Sequence, residues 1–116
     1  MNKVGFITDE IYLKHRTGSG HPERPERLTA IVDRLKEGGL WESLVHVPAA
    51  MADKSDVALI HNPYYIKIVA EDVRQGQSVL STGDTMICSD SFDAAMMAVG
   101  GAMAACDAVI GGQVAR

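Results

Sequence analysis

The residues from Ser89 to about Ile110 constrain the fold most, because they predict one long helix that is apolar on nearly every side. Alanine, methionine and glycine make up most of this segment. A helix of that kind needs neighbours on several of its sides. Gly100 and Gly101 would let another backbone approach closely. We expect this helix to be buried on most of its circumference, and the two short strands and three other helices predicted below offer few neighbours for it.

The apolar centre of the predicted helix does not favour a membrane span. It runs from Ala94 to Cys106, is bounded by Asp93 and Asp107, and is only 13 residues long. A span needs about 20 apolar residues. The segment therefore predicts a buried helix of a soluble protein, and we expect no membrane partner.

The composition is that of a single soluble domain or a piece of one. The chain has 116 residues, of which 47% are hydrophobic and 22% charged, and such values argue against disorder. The net charge is −4 and no run of lysine or arginine with interleaved aromatics occurs. These features exclude the usual electrostatic footprint of a nucleic-acid partner.

Two features of the sequence predict a cytoplasmic protein. The N-terminus becomes acidic at Asp9 and Glu10, before an apolar region of signal-peptide length can form. The two cysteines, Cys88 and Cys106, do not form a CxxC motif, and reduced thiols are the default in the cytoplasm.

The apolar pattern along the chain predicts parallel strands with flanking helices. A strand, a helix and a second strand in that order fit a right-handed βαβ unit. A third strand is predicted to begin at Val114. The predicted elements before it are a strand over 3–8, loop over 11–22, a helix from Pro25 to Gly38, a strand over 44–47, helices over 53–60 and 63–75, and loop over 78–89.

The segment from Gly18 to Leu28 predicts a shaped loop that leads into a helix. Its two glycines permit backbone angles closed to other residues, and its two prolines fix φ. The loop also carries histidine, arginine and glutamate side chains. A ligand-facing loop and a solvated connector are both compatible with this pattern.

Three landmarks in order resemble the histone deacetylase superfamily, particularly its bacterial deacetylase, acetylpolyamine amidohydrolase and class II members. The first is Gly-His-Pro-Glu-Arg-Pro-Glu-Arg-Leu over 20–28. The second is His-Asn-Pro-Tyr-Tyr over 61–65, and the third is Gly-Asp-Thr over 83–85, followed by the helix rich in alanine and glycine. Together they cover nearly the whole chain.

The resemblance implies the N-terminal part of an arginase/deacetylase-like α/β fold. In the family, zinc activates water to attack the amide of an acetyl-lysine or acetylpolyamine. The family's histidine pair and Asp-x-His segment are absent from these 116 residues. We therefore expect residues 1–116 to be a single partial domain without catalytic residues or metal ligands, which binds no zinc and is inactive alone.

The resemblance also assigns site residues. Asp84 matches an aspartate on the pocket rim that accepts hydrogen bonds from substrate backbone N–H groups. His21 and Pro22 match the loop that lines one side of the acyl-lysine channel, and Arg27 matches an arginine that supports the pocket from beneath that loop. Structural roles for these residues, and for His61, are the alternative.

Two functional hypotheses follow. The first is the N-terminal portion of a zinc-dependent deacetylase, which supplies substrate-channel loops. The second is a shortened, non-catalytic relative that works as an oligomeric binding module through the helix from Ala94 to Ile110, whose apolar surface would need a partner.

Overall fold

The computed structural model describes residues 2–116 and contains a small parallel sheet. Strands β1 (Gly5–Phe6) and β2 (Val45–His46) pair in parallel, with Gly5 opposite Val45. The predicted strand, helix and strand order is confirmed, although both strands are shorter than predicted. A parallel pair needs a crossover connection, and the helix between the strands supplies it.

The chain's C-terminal residues lie beside β1, on the side away from β2. The backbone N–H of Ala115 donates to the carbonyl of Lys3 at 2.8 Å, and that of Gly5 donates to the carbonyl of Arg116 at 2.7 Å. The sheet itself has two strands, β1 and β2, and no strand is assigned over 114–116. The third strand predicted to begin at Val114 therefore stays a prediction.

Four helices accompany the sheet. They are α1 (Glu26–Glu37), α2 (Lys54–Val57), α3 (Pro63–Arg74) and α4 (Ser91–Ile110). The start of α3 is as predicted, because the side chain of Asn62 accepts from the N–H of Tyr64 at 2.9 Å and proline occupies the first helical position.

Two local predictions were wrong. The second helix was predicted to continue to Ile60, but α2 ends at Val57, and Ile60 is 86% exposed, so no apolar face holds a further turn. The loop predicted over 11–22 begins with a short 3-10 helix at Glu10–Lys14, whose first turn is capped by the Asp9 side chain through the N–H of Ile11.

Helix α4 has two unlike sides, which we call the packed side and the open side. The packed side contains its buried residues, such as Met96, Gly100 and Ala108. The open side consists of six exposed residues, which are Ala95, Ala98, Ala102, Ala105, Cys106 and Val109. Four further residues of α4 are exposed, namely Asp93, Met103, Asp107 and Ile110. The expectation of burial around most of the helix was wrong for this chain, because neighbours cover only about half of it.

The packed side of α4 lies in close contact with the backbone of residues 50–52. A Cβ added at Gly100 would lie 1.6 Å from the carbonyl oxygen of Ala50, which is far inside contact distance. A Cβ at Gly101 would lie 2.7 Å from the hydroxyl of Tyr12, and that hydroxyl donates to the carbonyl of Met97 at 2.9 Å. The two glycines therefore allow the close approach predicted from the sequence.

The molecule is less compact than a typical domain of the same length. Its radius of gyration is 16.0 Å, against about 13 Å for a compact domain of this size. A small cluster of Val47, Ala108 and Val114 forms the buried core between the sheet and α4. Within residues 2–116, no large side chain is completely buried.

Candidate functional site

The two loops that carry the predicted channel residues lie side by side. We call residues 15–25 the first loop and residues 78–90 the second loop. The N–H of Arg16 donates to Sγ of Cys88 at 3.2 Å, and that thiol donates to the carbonyl of Lys14 at 3.2 Å. A Cβ added at Gly18 would lie 3.9 Å from Cε of Met86. The fold therefore joins two segments that are about 70 residues apart in the sequence.

Cys88, Ser91 and His15 form the junction between these loops. The Ser91 hydroxyl lies 2.7 Å from Nδ1 of His15 and accepts from the N–H of Cys88 at 2.8 Å. Burial acts to raise the pKa of the Cys88 thiol, but hydrogen bonds from Ser91 and from the N–H groups of Arg16 and Asp90 outweigh it, and the pKa falls below its ordinary value. Sequence reasoning considered Cys88 only as a reduced thiol outside any CxxC motif and missed this junction.

The first loop has a defined shape. Gly18 and Gly20 adopt φ of 95° and 78°, a region that favours glycine. The buried Thr17 hydroxyl donates to the carbonyl of Glu23, and the N–H of Glu23 donates to Nδ1 of His21 at 3.0 Å. His21 is therefore half-buried against its own loop, while Pro22 is exposed.

The second loop folds back on itself and places Asp84 at its exposed tip. Val79 and Met86 form an antiparallel bridge, and the N–H of Leu80 donates to the carbonyl of Thr85 at 2.9 Å. Asp84 lies between these paired residues, with its carboxylate accessible to solvent. An exposed carboxylate at a fixed turn can accept hydrogen bonds from N–H groups of a bound molecule.

Asp72 anchors this turn from helix α3. Asp72 is 8% exposed, and one of its carboxylate oxygens accepts both the N–H and the hydroxyl of Ser81 at 2.8 Å. Sequence reasoning missed it. The available signal was its position four residues after Ile68 and three after Val69, which puts a carboxylate on the apolar face of α3. A charge placed there needs hydrogen-bond partners.

Arg27 and His61 lie at the surface. The guanidinium of Arg27 pairs with the carboxylate of Glu23 one helical turn earlier, and both side chains are more than half exposed. The pocket-support role of Arg27 therefore stays a prediction. His61 is exposed and lies near the ring of Tyr65, which is itself 37% exposed.

The described residues do not fit a zinc ion. Over positions 2–116, no three or more histidine, cysteine, aspartate or glutamate side chains are grouped so that they could hold a metal. The predicted site residues Asp84 and His21 come from different loops and form no such group. The structure thus brings the two loops together, and the groups that they present are hydrogen-bond donors and acceptors.

The comparison with protein families decides the membership of the chain. The family model described as the histone deacetylase domain matches residues 21–116. The chain belongs to the histone deacetylase family. The predicted resemblance is thereby confirmed, and the matched region contains the second loop and residues 21–25 of the first loop.

Similar curated proteins are deacetylases that are longer than this chain. A probable deacetylase of Archaeoglobus fulgidus is 36% identical over 109 residues, which are 92% of this chain and 30% of that protein. The polyamine deacetylase HDAC10 of Homo sapiens is 34% identical over 102 residues, which are 79% of this chain and 14% of that protein. The chain thus spans less than a third of the length of these relatives.

A solved structure of the HDA15 HD domain has the same fold. Its TM-score is 0.87 with 24% sequence identity, over 98% of this chain and 34% of that one. The predicted arginase/deacetylase-like α/β fold is thereby confirmed. By length and composition, α4 would also be able to cross a membrane, but a core helix of a soluble protein passes the same test. The lack of a membrane partner stays a prediction.

Proposed function

We propose that this chain forms one wall of the substrate channel of a zinc-dependent deacetylase. The observation that carries the proposal is the junction of the first and second loops through Arg16 and Cys88. This junction places the His21-Pro22 loop beside the loop that presents Asp84. The family membership supports the reaction class, which is hydrolysis of the amide of an acetyl-lysine or acetylpolyamine.

In this proposal each residue has a separate task. Asp84 accepts hydrogen bonds from backbone N–H groups of a peptide substrate and so holds the peptide at the rim. His21 and Pro22 exclude water from the acyl-lysine side chain, which is otherwise flexible. A zinc ion held by a complete domain would supply Lewis-acid chemistry for the substrate carbonyl and for water. Its ligands come from parts of the domain that this chain does not contain.

The first test concerns activity. Residues 1–116 alone, with added zinc and a fluorogenic acetyl-lysine peptide, should show no turnover. A chimera in which this chain replaces the matched part of the A. fulgidus protein should be active. Turnover by the chain alone that a hydroxamate inhibits would contradict the proposed division of labour.

The second test concerns Asp84. In the active chimera, Asp84→Asn should lower kcat/KM for an acetyl-lysine peptide about 10- to 100-fold, because a hydrogen bond to a charged group contributes about 1.5 to 3 kcal/mol. Acetylspermidine has no peptide backbone, and its turnover should change far less. Asp33→Asn on the exposed side of α1 is the matched control. Equal losses of kcat/KM for both substrates would contradict the proposed role of Asp84 at the pocket rim.

The exposed open side of α4 favours a second candidate, a non-catalytic module that associates with itself through the helix from Ala94 to Ile110. Light scattering of residues 1–116 discriminates the two. A stable dimer that Ala102→Asp dissociates would support self-association, whereas a monomer would count against it.

A further inference from the structure

Asp72 is a buried acidic residue that forms no ion pair. It is 8% exposed, and the two ion pairs within residues 2–116 join Arg27 to Glu23 and Arg74 to Glu71. Burying a carboxylate costs free energy unless hydrogen bonds compensate for the lost water. An apolar side chain at this position of α3 would avoid that cost. We therefore expect the carboxylate to serve the segment that it contacts.

Asp72 holds the chain that follows α3 at two points. Its backbone carbonyl accepts from the N–H of Gln77 at 3.0 Å, and the N–H of Gly76 donates to the carbonyl of Val73 at 3.0 Å, which is the Schellman pattern that ends a helix. Its carboxylate accepts the N–H and the hydroxyl of Ser81, each at 2.8 Å. One residue thus fixes both the exit from α3 and the position of Ser81.

The hydrogen bonds continue from Ser81 toward Asp84. Leu80 precedes Ser81, is 6% exposed, and is bonded to both neighbours of Asp84. Its carbonyl accepts from the N–H of Gly83 at 3.3 Å, and its N–H donates to the carbonyl of Thr85 at 2.9 Å. The backbone of Asp84 is therefore held in a fixed position relative to Ser81.

The Asp72 carboxylate attaches this turn to α3. Within residues 2–116, hydrogen bonds tie the segment 79–86 to another element only at Ser81. Without these bonds the turn keeps its internal pairing but is free to pivot at its two ends. A displacement of about 1 Å by a residue far from the chemistry can cost about 100-fold in reactivity.

We infer that Asp72 is a positioning residue for peptide recognition, because it holds Ser81 and thereby sets the place where Asp84 meets the backbone of the substrate. The inference rests on the proposed role of Asp84 at the pocket rim. It makes a buried residue of α3 a determinant of specificity. The affinity for acetylated peptides depends on Asp72, whereas the affinity for acetylpolyamines, which have no peptide backbone, does not.

The first test measures KM and kcat in the active chimera. Asp72→Ala should raise KM for an acetyl-lysine peptide about 10-fold, change kcat by less than about 2-fold, and leave KM for acetylspermidine unchanged. Asp72→Asn keeps an acceptor oxygen and should recover most of the loss. Glu71→Ala alters the neighbouring, exposed carboxylate and is the matched control. Equal changes for the two substrates would overturn the inference.

A second variant covers the case in which Asp72→Ala does not fold. Ser81→Ala removes only the hydroxyl donor and should raise KM for the peptide in the same direction by a smaller factor. An unchanged KM in Ser81→Ala and in Asp72→Asn would overturn the inference.

A double-mutant cycle tests whether Asp72 acts through Asp84. In the Asp84→Asn background, Asp72→Ala should cause no further rise in KM for the peptide, because the group that it positions is already altered. Effects of the two substitutions that multiply would overturn the inference, since they would show that the two residues act independently.

A measurement without substrate separates the two possible failures. NMR relaxation of residues 1–116 should give an amide order parameter at Asp84 below about 0.6 in Asp72→Ala, the range of flexible backbone, and higher values in the unaltered chain and in Glu71→Ala. A chimera that is inactive on both substrates would reject the proposed function. The order parameter then decides the positioning by Asp72: a lower value supports it, and an unchanged value overturns it.

Discussion

The packed and open sides of α4 have similar residue types but opposite surroundings. On the packed side, Gly100 contacts the backbone of residues 50–52 so closely that no side chain fits. On the open side, Ala102 and Val109 face a groove that no described residue fills. Apolar composition alone therefore does not show which side of a helix is buried. Tolerance to substitution distinguishes the packed side from the open side, and the following variants measure that tolerance.

The largest difference is expected between Gly100→Ala and Ala102→Val. The first adds a Cβ that would lie 1.6 Å from the carbonyl oxygen of Ala50, so the backbone must move. We expect a loss of about 3 kcal/mol or more in the free energy of unfolding. Ala102→Val adds two methyl groups on the open side and should change it by less than about 0.5 kcal/mol. Urea denaturation measures both, and similar losses would remove the distinction between the sides.

The next largest effect concerns the buried carboxylate of α3 that anchors the second loop. Asp72→Ala leaves the N–H and hydroxyl of Ser81 without their acceptor, and we expect a loss of about 1 to 3 kcal/mol. Hydrogen exchange at the Ser81 amide should accelerate. Asp33→Ala removes an exposed carboxylate from α1 and should leave that amide unchanged. An unchanged exchange rate of the Ser81 amide in Asp72→Ala would show that the structure of the second loop does not depend on the Asp72 carboxylate.

A smaller effect tests the shape of the first loop. Gly18 has φ of 95°, and Gly18→Ala should cost about 1 kcal/mol, because an L-residue is strained in that region. Gly83→Ala in the second loop is the control, since its φ is not positive and no atom lies within 4 Å of the added Cβ. Thermal unfolding of both variants measures the difference. An unchanged melting temperature in Gly18→Ala would mean that the first loop changes its backbone conformation to accept the side chain.

The smallest effect is expected at an exposed ion pair of α3. Hydrogen bonds from Arg74 and Gln75 lower the pKa of Glu71 from 4.5 to about 2. A depressed pKa means that the pair stabilises the fold above about pH 4.5, and that this contribution is lost as the pH falls through 2. Because Glu71 is fully exposed, Glu71→Gln should barely change the melting temperature at pH 7. Carboxyl NMR titration checks the pKa, and a value near 4.5 would show that the pair does not persist in solution.

Local signals predicted the elements well. Asn62 and Pro63 located the start of α3, the pair Gly38-Gly39 located the end of α1, and Val45 and His46 lie inside the predicted second strand. These signals act between neighbours in the sequence, so the sequence contains them directly. The helix predicted from Ser89 begins at Ser91, with Asp90 as its N-cap.

Contacts between distant segments were harder to predict. The junction of Cys88 with Arg16 depends on how the sheet and α4 place the two loops, and no local pattern encodes it. The predicted burial of α4 was wrong for a related reason. Its apolar pattern fits the several layers of a whole deacetylase fold, whereas this chain covers about a third of one. The predicted roles of Asp84, His21 and Pro22 came from resemblance, and they await the substrate tests described above.

The pairing of residues 115 and 116 with β1 has a consequence for folding. The bonded groups of Lys3 and Ala115 are roughly 110 positions apart in the sequence, so this contact forms only after nearly the whole chain has been brought together. Such distant contacts carry a large loop-closure cost and slow the search for the native state. Until that closure, β1 presents an unpaired edge to other chains, and a competing strand in a concentrated solution could be captured there.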